Sequence, residues 1–347
     1  MAKTIPYCAL LLSISGDDGQ PLNLPEGITS VRGHLPDFIA AERVEHWRMW
    51  LGSIEWEKLT SELRFVVAHA DSRRQHAGGE LQLQHRAGVA WYALLLTDRV
   101  RPFAGIGRFV SGQAQSIEPL QLGDSISGFG KTKPVSERLY TRKQSFFAHA
   151  PPRAEPAAWL NDWSKWIHQL DRHAPSPPQP EHDLGLLVEP TEPTPMIAPA
   201  WPQIFSVALQ AFEKALGETL LEFKIPEFVR AAECVLAVPK GQGGAEFVKR
   251  SMALLPDLEK HWYVGGTDLA DRLLALYNAR SECVHGKLPF AELRTKPDGS
   301  EQAARLECLG EALARGALRW AVEDEARFAL FVDRTTLEKA WREGRVA

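Results

Sequence analysis

Residues 277–290 read YNARSECVHGKLPF. Arg280 is followed by Ser281 and, after four intervening residues, by His285, which stands directly before Gly286. On a helix advancing about 100° per residue, Leu269, Leu273, Leu276 and Cys283 form one stripe, and Arg280 falls within it. A permanent cation on an apolar stripe needs an anion or an interface to meet. On the adjacent polar face, Asn278, Ser281 and His285 follow i, i+3, i+7 spacing, so their side chains point roughly the same way. His285 lies in the last turn, where the helix dipole favours the imidazolium form.

Arginine, histidine and small polar groups suit RNA cleavage without a metal. In that reaction the ribose 2′-OH attacks the neighbouring phosphorus, a base removes its proton and an acid protonates the departing 5′-oxygen. A guanidinium stabilises the phosphorane-like transition state through charge-assisted, often bidentate bonds. The competing reading gives Arg280 a permanent structural ion pair with a neighbouring helix, for instance with Glu233.

Other motif-like stretches carry less. GFGKT at Gly128–Thr132 lacks the first glycine of a phosphate loop, since Ser125 occupies that place, and QLGDSIS before it is no buried strand. GIGRFVSG at Gly105–Gly112 brings its third glycine too late for a dinucleotide fingerprint and reads as a strand with a bulge or bend. Eleven histidines include no H-E-x-x-H or other metal-holding spacing, so neither metal nor cofactor is expected.

The elements that position Arg280 and His285 follow from periodicity. Thr267 is a suitable N-cap, Asp268 an acidic first-turn residue, and Gly286 with Pro289 beyond it a stop signal, so the helix runs over 267–285. Segments 203–217, 226–237, 244–262 and 301–323 also show three- and four-residue apolar spacing. Short links such as PKGQGG and YVGGT separate them, which predicts an all-α up-and-down bundle over 203–347.

Residues 173–202, HAPSPPQPEHDLGLLVEPTEPTPMIAPAWP, are rich in proline and read as a linker, or as an extended arm with apolar anchors. Upstream, strands are expected at Tyr7–Ser13, Arg64–His69, Ala90–Thr97 and Phe103–Gln115. Helices are expected from about Pro36 to Leu63, carrying Trp47, Trp50 and Trp56, and from Pro156 to Arg172. Residues 1–172 are therefore expected to form an α+β domain with a sensing or recruiting role.

A chain of 347 residues accommodates two such domains. Its net charge of -4 argues against coating nucleic acid through bulk positive charge, although its 40 Lys and Arg residues allow a local basic groove. Cys8, Cys234, Cys283 and Cys308 form no C-x-x-C pair, which disfavours a zinc knuckle or disulfide framework and suits a reducing cytoplasm. The N-terminal apolar run is too short for a signal peptide, and no stretch is long enough to span a membrane.

LYNARSECVHG, Leu276 to Gly286, resembles the signature of HEPN domains, specifically the Apea-like branch, in which an R-S-x-x-x-H-G string closes a long helix. Arg280 and His285 match the R-x4-6-H motif and Ser281 its frequent polar neighbour. FVRAAECVL, Phe228 to Leu236, is similar to the earlier helix with an acidic residue, here Glu233. The resemblance covers residues 203–325. It implies a helical bundle that forms a homodimer, with the two motifs in a shared cleft that cuts RNA without metal, in toxins or antiviral defence effectors. In that frame His285 is the general acid/base, Arg280 the phosphate and transition-state stabiliser and Glu233 the orienter of Arg280, while Asn278 and Ser281 hold substrate or His285. Non-catalytic members serve as RNA-binding or dimerisation modules.

Overall fold

The computed structural model describes residues 8–14, 21–26, 28–33, 63–68, 103–110, 156–174, 201–218, 220–239, 243–254 and 269–346, with isolated positions between 45 and 97 and Gly241. The chain divides into two compact units, Met1–Ala200 and Trp201–Ala347. Of the expected helix at 36–63, Glu45, Arg48, Met49 and Glu57 are described and helical, while Leu63 opens a strand; its other positions, the GFGKT stretch and nearly all of the proline-rich segment fall outside the described residues.

In the first unit, backbone strands β1 (Cys8–Ile14), β2 (Ile28–Gly33), β3 (Leu63–Ala68) and β4 (Phe103–Val110) pair antiparallel in the order β2-β3-β1-β4. Apart from Ile28 of β2, the buried hydrophobic side chains described in this unit lie in helices. Helix α1 (Pro156–Arg172) buries Trp163, Trp166, Ile167 and Leu170. Its Trp163 indole donates to the Ala90 carbonyl at 3.1 Å.

The expectation of an α+β N-terminal domain is corrected: most of the described residues are helical, and no α+β domain is shown. The run Ala90–Thr97, read as a strand, is helical at each described position up to Leu96. Val89, Ala90, Tyr92, Ala93, Leu95 and Leu96 are all buried. A helix buried on every side loses its polar face and shows the same continuous apolar run as an inner strand.

The second unit is an all-helical bundle: α2 (Gln203–Gly217), α3 (Leu221–Leu236), α4 (Gly243–Leu254), α5 (Leu269–Val284), α6 (Pro289–Leu293), α7 (Gly299–Val322), α8 (Glu325–Phe328), a 3-10 turn (Ala329–Val332) and α9 (Arg334–Arg342). Helix α3 packs on α2, α5 and α7. It can do so because Ile225, Phe228, Val229, Ala231, Ala232, Val235 and Leu236 are buried around much of its circumference. It starts at Leu221 rather than at 226, so Pro226 lies inside it and removes one backbone donor from the ladder. Around it, the ring centroids of Phe212 and Phe228 lie 5.9 Å apart, and Phe205 meets Phe328 edge-on at 4.9 Å.

Two glycines let these helices approach. A Cβ on Gly310 of α7 would lie 3.3 Å from Phe228 of α3 and 3.4 Å from Leu276 of α5. A Cβ on Gly299 would lie 1.6 Å from the Leu293 carbonyl oxygen. Among the described residues, no helix is long and apolar enough to cross a membrane.

Gly310→Val is expected to lower stability by about 1–3 kcal/mol through overpacking between α3 and α5. Urea unfolding followed by circular dichroism measures this, and an unchanged midpoint contradicts the close crossing.

Candidate functional site

Helix α5 places the motif. Leu269, Leu273, Leu276 and Ala279 are buried, recurring at three- and four-residue intervals, and fix the face that α5 turns into the bundle. Arg280 stands at the edge of that face with its side chain 28% exposed. Its Nη2 donates to Oε2 of Glu233 on α3 at 3.0 Å, and Glu233 is 19% exposed. The guanidinium also lies 5.8 Å from the ring centroid of Tyr277, which packs at 5.2 Å on Phe247 of α4.

Three other motif residues stand apart from this pair. Helix α5 ends in a Schellman-type cap: the Gly286 N–H donates to the Cys283 carbonyl and the Lys287 N–H to the Glu282 carbonyl, each at 3.0 Å. Gly286 adopts φ 77, a left-handed conformation that glycine takes without a Cβ penalty. His285 is thereby left exposed at the C-cap, where its own N–H donates to the Ser281 carbonyl at 3.1 Å. Among the described residues its imidazole makes no hydrogen bond or ion pair. Asn278 is exposed and Ser281 half-buried along the same helix. Thus Arg280 and Glu233 are in contact, whereas His285, Ser281 and Asn278 are associated with them by helical spacing alone. The expected capping pair Thr267 and Asp268 lies outside the described residues.

Electrostatics separates the groups further. Burial pushes the Glu233 carboxyl above its ordinary value of 4.5, against the lowering effect of Arg280 and then Arg334. Desolvation therefore outweighs the ion pair. Burial, with the nearby Glu222 and Glu282 carboxylates, pushes the Cys283 thiol up to about 11, so it stays protonated and is no nucleophile at neutral pH. Cys234, beside Glu233, is also raised by burial.

Sequence reasoning missed two participants. Tyr277 was quoted within the motif without a role, although its spacing three residues before Arg280 placed it on the adjoining turn. Arg334 lies in α9, a short helix beyond the expected ones, and its signal was Asp333 three residues before Thr336. The Asp333 carboxylate accepts from the Thr336 N–H at 2.9 Å and from its hydroxyl at 2.6 Å.

Among the described residues, no group of three or more His, Cys, Asp and Glu side chains is arranged to hold a metal ion. No protein-family model matches the chain, nor does any curated protein or solved structure.

The raised Glu233 carboxyl gives a signed prediction. Between 4.5 and its higher folded-state value, the folded chain holds a proton that the unfolded chain has released. This group's contribution is therefore full below its unfolded value and lost as pH rises through the folded one. Urea unfolding across pH should show the stability of wild type minus that of Glu233→Gln falling as pH rises from 4.5 and then levelling. A difference that grows with pH contradicts the assignment.

Proposed function

We propose that the second unit is a metal-independent endoribonuclease of the HEPN kind, working as a homodimer in which two motifs share a cleft. The observation that carries this reading is the Arg280–Glu233 contact on the helix whose end exposes His285. Glu233 takes only one nitrogen of the guanidinium, at 3.0 Å, and among the described residues no other hydrogen bond engages Arg280. Donors on Nε and Nη1 are left for a phosphate, and the remaining exposure of the side chain allows one to approach.

In the proposed reaction His285, in its neutral form, removes the proton from a ribose 2′-OH as that oxygen bonds to phosphorus. The P–O5′ bond breaks, and an imidazolium, from the second copy's His285, protonates the leaving oxygen. The products are a 2′,3′-cyclic phosphate and a 5′-hydroxyl. Arg280 stabilises the charge on the equatorial oxygens, Glu233 fixes the direction of Arg280, and Ser281 and Asn278 hold the sugar-phosphate or the imidazole. Val284 and Leu288, at 59% and 58% exposure on either side of His285, offer apolar surface for the second copy to cover. In this proposal the first unit receives the activating signal, and the protein acts in the cytoplasm as a toxin or antiviral effector.

The ion pair itself favours a second reading, because Glu233 satisfies Arg280 without any substrate. On that reading the bundle is a dimerisation or RNA-binding module, and Arg280 is a structural pin.

The two readings diverge in a cleavage assay with end-labelled single-stranded RNA and tRNA in EDTA. The nuclease reading expects cyclic-phosphate ends from wild type and a loss on the order of a hundredfold or more in both Arg280→Ala and His285→Ala. Absence of cutting by folded wild-type dimer favours the assembly module.

A further inference from the structure

Glu233 accepts from one nitrogen of Arg280, and a hydrogen bond at one nitrogen fixes a point on the guanidinium but not its plane. A second contact bears on the plane. On a helix, long side chains lean back over the preceding turn, so Arg280 reaches towards Tyr277, three residues before it. Its guanidinium carbon lies over the Tyr277 ring, 5.8 Å from the centroid. That ring is in turn fixed by α4. Its centroid lies 5.2 Å from that of Phe247, which is fully buried, and the two planes are tilted by 43°. Gly244, in the first turn of α4, leaves the space that the ring fills. A Cβ there would lie 3.2 Å from Tyr277 Cδ1 and 2.8 Å from Leu274 Cδ1. Tyr277 thus stands between a helix that carries no motif residue and the cation of the motif.

We infer that Tyr277 is a positioning residue for the candidate site: its ring, packed on α4, sets the plane of the Arg280 guanidinium while Glu233 holds one nitrogen. The chemistry favours a ring over another polar partner. A second carboxylate, or a carbonyl, would accept from Nε or Nη1 and use up a donor. The π face attracts the cation without accepting along those bonds, so both donors keep their directions for a phosphate. Charge stabilisation depends on donors already aimed where the charge develops, so a guanidinium that swings loses part of its effect on the transition state. Tyr277 acts through Arg280 and touches no reacting atom. The consequence for catalysis rests on the ribonuclease reading, whereas the restraint on Arg280 does not.

The test uses the full chain and follows the Arg280 Nε–H signal by 15N NMR, assigned by its loss in Arg280→Lys. Tyr277→Phe keeps the ring, and Tyr277→Leu keeps an apolar side chain without it. Leu274→Ala removes the other side chain that lies against Gly244 and serves as the packing control. In Tyr277→Leu the signal should lose its ring-current displacement and sharpen towards that of exposed arginines. In Tyr277→Phe and Leu274→Ala it should stay in place. The kcat for RNA cleavage should fall on the order of fivefold in Tyr277→Leu and hold in the other two. An Arg280 signal in Tyr277→Leu that superimposes on wild type overturns the inference, and with wild type cutting RNA it leaves the ribonuclease reading intact. Equal displacement in Leu274→Ala reduces Tyr277 to packing, and an equal fall in Tyr277→Phe gives the role to the hydroxyl; either result overturns the inference. Release of Arg280 at unchanged kcat overturns it as well. Release of Arg280 in Tyr277→Leu with no cleavage by any form, wild type included, leaves the restraint standing and removes the ribonuclease reading. Should the Leu variant not fold, Tyr277→Met carries the same comparison.

Discussion

The second unit is organised around a single constraint: a guanidinium and a carboxylate, both largely withdrawn from water, must stay together. Arg280 and Glu233 meet at 3.0 Å across α5 and α3. Either one alone in that place would be an uncompensated, partly buried charge, whose cost exceeds the net gain from most surface ion pairs. The requirement sets the approach of α5 to α3, which in turn requires a residue without a Cβ at Gly310 on the third helix of the crossing. Separately, the carbonyls at the end of α3, which lack partners within the helix, are met by other cations: Arg250 on its last carbonyls and Arg334 on the carbonyl beyond. These bonds tie α4 and α9, neither of which contains the motif, to the helix that carries Glu233.

The cost of that arrangement also carries its chemical interest. Among the described residues, the guanidinium is bound through one nitrogen to a carboxylate, oriented but not saturated. It is poised for a second anion in a way that a fully bidentate pair is not. The C-cap geometry at Gly286 does the complementary work by exposing an imidazole at the negative end of the same helix. These two features sit on one rigid element, which is the property a site needs if its groups are to hold their spacing when substrate arrives.

Much of this could be read in the sequence because helices announce themselves. Leucines at 269, 273 and 276, glycine at 286 and proline at 289 marked out α5, and placing Arg280 on the apolar stripe called for an anion on a neighbouring helix, with Glu233 as one instance. What escaped were contacts made over long sequence separations: Arg334 with the end of α3, and the Trp163 indole with the Ala90 carbonyl. No periodicity encodes them. The Ala90–Thr97 run failed for a different reason, since a helix buried on all sides has no polar face to betray its period. Pro226 misled the start of α3 because a proline that opens a helix and one tolerated within it look alike in sequence.

The measurement closest to the centre of this account is the binding of a 2′-O-methyl oligoribonucleotide, which cannot be cut, to wild type and to Arg280→Ala at fixed low salt. If the Arg280 guanidinium keeps donors for a phosphate while paired with Glu233, wild type binds, and the variant loses on the order of tenfold in affinity. Equal affinity in the two proteins, with both folded, would mean that Arg280 serves only to pin α5 to α3, and would contradict the account.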